Sequence, residues 1–380
     1  LSSNVVKKQI RQFNLTKCAC SSGVWKIGTI LVQTICFART IKTRSTKKLL
    51  FCFIVVIISI MKQKTILVTG GAGFIGSHLC DRLLALGHKV ICVDNLDDYY
   101  PADYKRQNIK NAMKNKNFIF YEIDITDYEK IAPVFELYKI DVIAHLAGRG
   151  GVTPSVDRPL FYVHTNVHGT LCMLETARHY SVPQFVFASS SSVYGPESKT
   201  PFSEDDPTLY QVSPYGATKK AAELLIQTYH HLYGIRATIL RFFTAYGPRT
   251  RPDMALNKFT EKILAGEEIT AYKGMRRDFT YIDDIISGLV SAIDKNLAYE
   301  IINLGNSNPI SVRIYIRAVE VALGRQAKII EKKSNSTELL KTMANIDKAK
   351  KLLGYRPKTK IENGVVNFVK WYKTNRLRQA

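Results

Sequence analysis

Short apolar runs alternate with helix-length amphipathic segments along most of this chain. Thr65–Thr69, Lys89–Val93, Phe118–Ile123, Val142–Leu146, Phe185–Ala188 and Thr238–Phe243 read as buried strands. Between them, Ser77–Leu86, Asn166–Tyr180 and Tyr215–Tyr233 carry helical period. Near-continuous apolar strands separated by helices predict a parallel sheet with helices on both faces, a doubly wound α/β architecture. Past Gly247-Pro248 the alternation loosens into loops and a Lys-rich C-terminal region. That change predicts a smaller α/β lobe, mainly C-terminal, beside the sheet domain. We place the sheet domain at 61–245 with 279–305 returning to it, and the lobe at 246–278 and 306–380.

The first sixty residues fit none of this. They contain ten Lys/Arg and no Asp or Glu, and they end in an apolar run, Leu49–Ile60, behind Lys47 and Lys48. Twelve residues fall short of the roughly twenty that a membrane-spanning helix needs. Met61-Lys62-Gln63-Lys64 leads straight into the first strand, so we read 1–60 as upstream or non-native extension; a signal or anchor segment and a disordered tail are the alternatives. Setting it aside removes ten of the +22 formal charges and leaves +12 on 61–380. The remaining lysines are scattered and not interleaved with aromatics, so the charge does not mark a nucleic-acid surface. Cys80, Cys92 and Cys172 sit in helix and strand patterns, as buried apolar side chains of a reduced compartment do. No Cys/His spacing suits a metal. The expectation for 61–380 is a cytoplasmic protein with no membrane association.

Chemistry begins in the first turn. Gly70-Gly71-Ala72-Gly73-Phe74-Ile75-Gly76 holds G-x-x-G-x-x-G between a strand and a helix. Glycine allows the tight turn and lets backbone N–H groups approach a pyrophosphate at the helix start. Asp94 closes the second strand, with Asn95 beside it, where a carboxylate accepts from an adenosine ribose and repels a 2′-phosphate. NAD is therefore expected over NADP. Asp124-Ile125 is placed for the adenine edge, with local capping by Asp124 as the competing reading.

Tyr215-Gly216-Ala217-Thr218-Lys219 puts a phenol and an ammonium one helical turn apart. A tyrosine with a pKa near 10 becomes a credible base when a cation stabilises its phenolate. A hydroxyl partner is expected from Ser189-Ser190-Ser191-Ser192, at a strand end where open α/β sheets bind ligands.

With these motifs in place, Met61–Ala380 resembles the extended short-chain dehydrogenase/reductase family, which implies a Rossmann-type doubly wound sheet. The matching segments are Thr69–Gly76, His145–Gly148, Asn166 with Gly169-Thr170, Ser189–Gly195, Tyr215–Lys219, Arg241–Gly247 and Arg277–Asp284. Phe202–Asp206, Ser213–Glu223 and Arg241–Met254 look most like UDP-glucuronate 4-epimerases. The resemblance implies NAD held by Gly70, Gly73, Phe74, Ile75, Gly76, Asp94, Asn95, Asp124, Ile125, Leu146, Ala147, Asn166, Ser189, Lys219 and Phe242. It implies Tyr215, Lys219 and either Ser190 or Ser192 as the catalytic set. It further implies Arg149, Thr244, Arg251, Arg277 and Glu338 around a UDP-sugar, with Thr244 and Arg251 facing a sugar carboxylate. A solvated loop charge is the plain alternative for Arg251, and an ion pair to Asp278 or Asp283 for Arg277. A homodimer through the 166–180 and 215–233 helices is implied by analogy.

Rival reactions differ in what they require. Elimination, and decarboxylation in related enzymes, use an acidic residue just before Val-Tyr-Gly, where this chain has Ser192. Epimerisation needs only a reversible hydride step, so the serines favour it. Neutral UDP-sugars are the nearest alternative substrates. A catalytically silent NAD-binding sensor is disfavoured, because Tyr215, Lys219 and the serines are all present. The chain departs from the resemblance at Gly148 and Thr153, in a short Tyr272–Met275 loop, and at Thr337-Glu338.

Overall fold

Seven strands build one parallel sheet, which runs from edge to edge as Tyr299–Leu304, Arg236–Phe242, Gln184–Ser190, Val142–His145, Thr65–Thr69, Lys89–Val93 and Phe118–Tyr121. The computed structural model describes residues 63–333 and 339–377, within one compact unit that starts at Gln63. The expected extension over 1–60 and the expected uridine contact Glu338 lie outside the described residues.

In chain order the elements are β1 Thr65–Thr69, α1 Phe74–Ala85, β2 Lys89–Val93, α2 Ala102–Ile109, β3 Phe118–Tyr121, α3 Tyr128–Leu137, β4 Val142–His145 and the short helices α4 Val152–Asp157 and α5 Pro159–Tyr162. A π-helical turn, Val163–His168, leads into α6 Gly169–His179, then β5 Gln184–Ser190, α7 Pro214–Tyr233 and β6 Arg236–Phe242. The rest comprises β7 Thr244–Tyr246, α8 Ala255–Ala265, β8 Glu268–Tyr272, β9 Arg276–Tyr281, α9 Ile282–Lys295, β10 Tyr299–Leu304, β11 Pro309–Ser311, α10 Val312–Leu323, β12 Lys328–Lys332, α11 Asp347–Leu353 and α12 Ile361–Asn375. The doubly wound sheet read from the sequence is therefore present, and β10 forms one of its edges beside β6. Two small sheets stand apart from it: β7 and β11 flank β9, and β8 pairs with β12.

Strand alternation divides the core. Ile66 and Val68 of β1 belong to one apolar cluster with Leu79 and Leu83 of α1 and Ile285 and Leu289 of α9. Leu67 between them belongs to the other, with Ile131 of α3, Met173 of α6 and Ile226 of α7. Side chains alternate across a strand, so consecutive apolar residues are needed where both faces are covered.

Strand order reverses beside β1, and a crevice opens at the carboxyl ends of β1 and β4 at such a switch point. Helix α7 delivers side chains to it. Pro214 opens this helix, Ser213 caps it by accepting from the Gly216 N–H at 3.2 Å, and Gly234 ends it in the left-handed conformation. Tyr215, Lys219 and Glu223 fall on one face at successive turns.

Glu223 sets how that face meets the sheet. Its carboxylate forms a two-pronged pair with Arg241 of β6, at 2.9 Å from Nε and 2.8 Å from Nη2, and both side chains are buried. The Ser189 hydroxyl at the end of β5 donates to the same carboxylate at 2.7 Å. Arg241 Nη1 donates to the Tyr194 hydroxyl at 3.0 Å, which in turn donates to Asn303 of β10 at 2.8 Å. Removing one partner of such a pair strands the other charge without water. Arg241→Met is expected to cost about 3–5 kcal/mol of unfolding free energy, read by denaturant titration. A loss below about 1 kcal/mol would show that Glu223 is compensated elsewhere.

Candidate active site

One open cavity of about 860 Å³ runs from the phosphate loop to Thr342 and gathers most of the predicted residues. Gly70, Gly73, Phe74, Ile75, Gly76, Asp94, Asn95, Asp124, Ile125, Leu146, Ala147, Ser189, Lys219 and Phe242 line it on the expected cofactor side. Tyr215, Ser190, Ser192, Arg149, Thr244, Arg251 and Arg277 complete it. Asn166 stands behind this wall.

The phosphate loop fits a dinucleotide. Gly70 adopts φ +66°, and a Cβ at Gly76 would stand 2.1 Å from the Gly70 carbonyl oxygen, so neither tolerates a side chain. No side chain caps α1, whose first N–H groups form the positive end of the helix dipole. Asp94 braces the loop by accepting from the Ala72 N–H at 3.0 Å and the Leu96 N–H at 2.9 Å. Burial pushes its carboxyl above the ordinary range, while the Lys105 ammonium works the other way. Lys105, Tyr99 and Tyr100 also line the cavity, and the sequence reading missed them. The signal for the two tyrosines lay in Asp97-Asp98-Tyr99-Tyr100, three residues after Asp94.

Asp124 makes the local capping contacts weighed for it and lines the cavity as well. Its Oδ1 accepts from the Thr126 N–H and hydroxyl at 2.8 and 2.7 Å, and its Oδ2 accepts from Asn95 at 2.7 Å, while the residue lines the cavity. Burial works to raise its pKa, but those donors outweigh it and hold the carboxyl below its ordinary value. The side chains of Ser189 and Asn166 are committed to the protein rather than free for a ligand. Ser189 donates to Glu223, as described above. Asn166, on the π-helical turn, accepts from the Arg149 N–H at 2.8 Å and donates to the Arg149 carbonyl and the Thr218 hydroxyl, each at 3.0 Å. It therefore pins the turn after β4 to the catalytic helix.

Tyr215 packs edge-to-face on Tyr162 at 6.1 Å between ring centroids. A Cβ at Gly216 would meet the Ser192 carbonyl oxygen at 2.3 Å, so glycine here lets α7 start against the serine turn. Ser190 and Ser192 share a hydrogen bond of 3.2 Å between hydroxyls and line the cavity together with Tyr215. Burial pushes Tyr215 above its ordinary pKa; the Ser190 hydrogen bond and the Arg251 charge oppose that. Lys219 donates to the Ala188 carbonyl at 2.8 Å, and its ammonium lies 4.8 Å from the Phe187 ring centroid. Burial pulls it down to about 8, against the opposing charge of Glu223. The expectation that Lys219 would depress the tyrosine is thus refined: among the protein's own groups, Ser190 and Arg251 do so. Gly148 leaves room for this arrangement, since a Cβ there would come within 2.9 Å of Asn166 Oδ1 and 3.2 Å of Lys219 Nζ.

Arg149 and Arg251 are each paired. Arg149 reaches Asp97 at 2.5 Å, and Arg251 grips Asp253 two-pronged at 2.9 and 2.8 Å. Arg277 donates to the Leu339 carbonyl at 2.7 Å. Its neighbour Asp278 is buried and accepts backbone N–H groups of Asn306, Ser307 and Ala344.

Residues 66–305 match the family model described as the NAD dependent epimerase/dehydratase family. The chain belongs to that family. Its cofactor is NAD, and it is an NAD-dependent epimerase. A UDP-glucuronate 4-epimerase of Thermodesulfobacterium geofontis is 44% identical over 312 residues, covering 81% of this chain and 96% of that one. A Bacillus cereus UDP-glucuronic acid 4-epimerase, solved with UDP-glucuronic acid and NAD, superposes with TM-score 0.75 at 39% identity, over 82% of this chain and 99% of that one. A Thermotoga maritima UDP-glucose 4-epimerase solved with UDP-glucose gives TM-score 0.73 at 32% identity, over 82% and 99%. Among the described residues of this epimerase, no helix is long and apolar enough to cross a membrane, and no group of three or more His, Cys, Asp or Glu is placed to hold a metal.

Two outcomes follow from this geometry. Gly76→Ala is expected to abolish NAD binding in a calorimetric titration; unchanged affinity would mean the loop yields to a Cβ. His145 is fully buried, with Nδ1 2.7 Å from the Thr69 hydroxyl and Nε2 3.0 Å from that of Thr170. Burial chiefly, and the Lys219 charge, pull its pKa down to about 3. An unfolded histidine titrates near 6.5, so below that pH the unfolded chain takes a proton the folded chain refuses. This contribution to stability is full above about 6.5 and declines as pH falls toward the folded value. His145→Gln is expected to lose less denaturation midpoint than the unmodified chain between about pH 7 and about pH 5; equal losses would show that His145 is not the acid-sensitive group.

Proposed function

We propose that this NAD-dependent UDP-sugar 4-epimerase converts UDP-glucuronate to UDP-galacturonate. The observation that carries the substrate choice is that Thr244 and Arg251 line the same cavity as Tyr215, Ser190 and Ser192. Similarity to UDP-glucuronate 4-epimerases on both sequence and structure supports it.

Bound NAD supplies the hydride acceptor and donor at C4. Tyr215, as phenolate, takes the C4 hydroxyl proton while hydride leaves C4, and returns a proton when hydride comes back to the opposite face. Ser190 or Ser192, hydrogen-bonded to each other in the same cavity as Tyr215, holds the C4 oxygen. Lys219 would hold the nicotinamide ribose, while the Ser190 hydroxyl and the Arg251 charge favour phenolate. The 4-keto intermediate of an acidic sugar is a β-keto acid. It loses CO₂ most readily when the C5–carboxylate bond lies parallel to the carbonyl π orbitals, so fixed contacts from Thr244 and Arg251 keep the carboxylate out of that alignment. Arg277, within the lobe proposed at 246–278 and 306–380, lies toward the diphosphate.

Incubation with NAD and UDP-glucuronate is expected to yield UDP-galacturonate, read from the anomeric proton signals. Tyr215→Phe should lower kcat by about 10²–10⁴ while NAD binding persists. Turnover of UDP-glucose with UDP-glucuronate left untouched would replace the substrate assignment by the neutral-sugar reading, which the Thermotoga maritima likeness also accommodates.

A further inference from the structure

We infer that Asp253 is a positioning residue for Arg251, and that it decides whether an acidic sugar leaves as the epimer or loses CO₂. The inference rests on the substrate reading above. Arg251 Nε lies 2.9 Å from Asp253 Oδ1 and Nη2 lies 2.8 Å from Oδ2, so one full edge of the guanidinium is engaged. Nη2 also donates to the Gly150 carbonyl at 3.3 Å. Asp253 Oδ2 accepts from the Tyr99 hydroxyl at 3.2 Å, and the Tyr99 ring centroid lies 5.4 Å from the guanidinium carbon. Four contacts therefore fix the plane of the guanidinium and leave Nη1 as its unengaged corner. A Cβ at Gly150 would stand 2.7 Å from Nη1, so the bare loop leaves that corner its room. Arg251, Asp253 and Thr244 all line the cavity that holds Tyr215.

A planar fork held by a carboxylate keeps both direction and orientation, whereas a lone arginine has several soft torsions. Orientation is what the β-keto acid stage demands. Were the carboxylate to rotate into line with the C4 carbonyl, the bond from C5 to the carboxylate carbon would break. Its electron pair would pass into the C5–C4–O4 enolate as CO₂ departs, a solvent proton would add at C5, and hydride would return to C4. The product would be a UDP-pentose, with NAD regenerated. Loosening Arg251 without removing it should open this route while Tyr215 and Lys219 keep their places.

The test uses the full chain with NAD and UDP-glucuronate labelled at the carboxyl carbon, measuring trapped CO₂ against epimer formed. Asp253→Asn is expected to raise the CO₂-to-epimer ratio by at least about tenfold over the unmodified enzyme. Tyr99→Phe, which removes one hydroxyl from the same cluster and keeps the question answerable should Asp253→Asn misfold, should raise it less. A mere loss of fold lowers both products together and cannot move their ratio. Slower turnover with an unchanged ratio in both variants would overturn the inference. If the unmodified enzyme leaves UDP-glucuronate untouched, the substrate reading fails first, and this inference falls with it.

Discussion

The buried pair between Glu223 and Arg241 is the constraint on which the rest of the site depends. Two full charges in an apolar interior are tolerable only with close, well-directed partners. Arg241 meets that demand with Glu223 on one side and Tyr194 on the other, and Glu223 meets it with Arg241 and Ser189. Satisfying both fixes the rotation of α7 against β5 and β6. Lys219 and Tyr215 lie one and two turns back on the same helical face, so their placement follows from an interaction that touches no ligand.

A second level of organisation surrounds the cavity. Asn166 ties the turn after β4 to α7 by bridging Arg149 and Thr218. Asp94 ties the phosphate loop to the end of β2 through Ala72 and Leu96. Arg149 with Asp97, and Arg251 with Asp253 and Tyr99, join the loops on another side of the cavity. Each device spends a charged or amide side chain on backbone or on another side chain. The cavity is thereby shaped by groups that a binding-site reading would assign to the ligand.

Much of this was legible beforehand. The doubly wound sheet followed from apolar strands alternating with amphipathic helices, and the phosphate loop from glycines between β1 and α1. Strand ends were less legible: β5 extends through Ser190, so two of the predicted serines belong to the strand rather than to the loop after it. The π-helical turn at Val163–His168 was not read from the sequence, because its i→i+5 bonds are a backbone feature that no residue type there marks. Ser189 lines the cavity and Asn166 stands behind it, and the hydrogen bonds of both run to protein partners far along the chain. Asp253, Tyr99 and Lys105 went unnoticed for the same reason: their partners are made by loops that meet only in three dimensions.

What the sequence determined by itself is whatever depends on local spacing. Helical period set Tyr215, Lys219 and Glu223 on one face, and glycine's lack of Cβ set the turn at Gly70–Gly76. Tertiary structure alone decided which charges cancel. Whether Arg251 meets a ligand freely or through Asp253, and whether Lys219 turns to Ala188 or toward the phenol, depends on distances between segments far apart in the chain. Coulomb and hydrogen-bond energies are set by those distances and by burial, and neither is written in the order of residues.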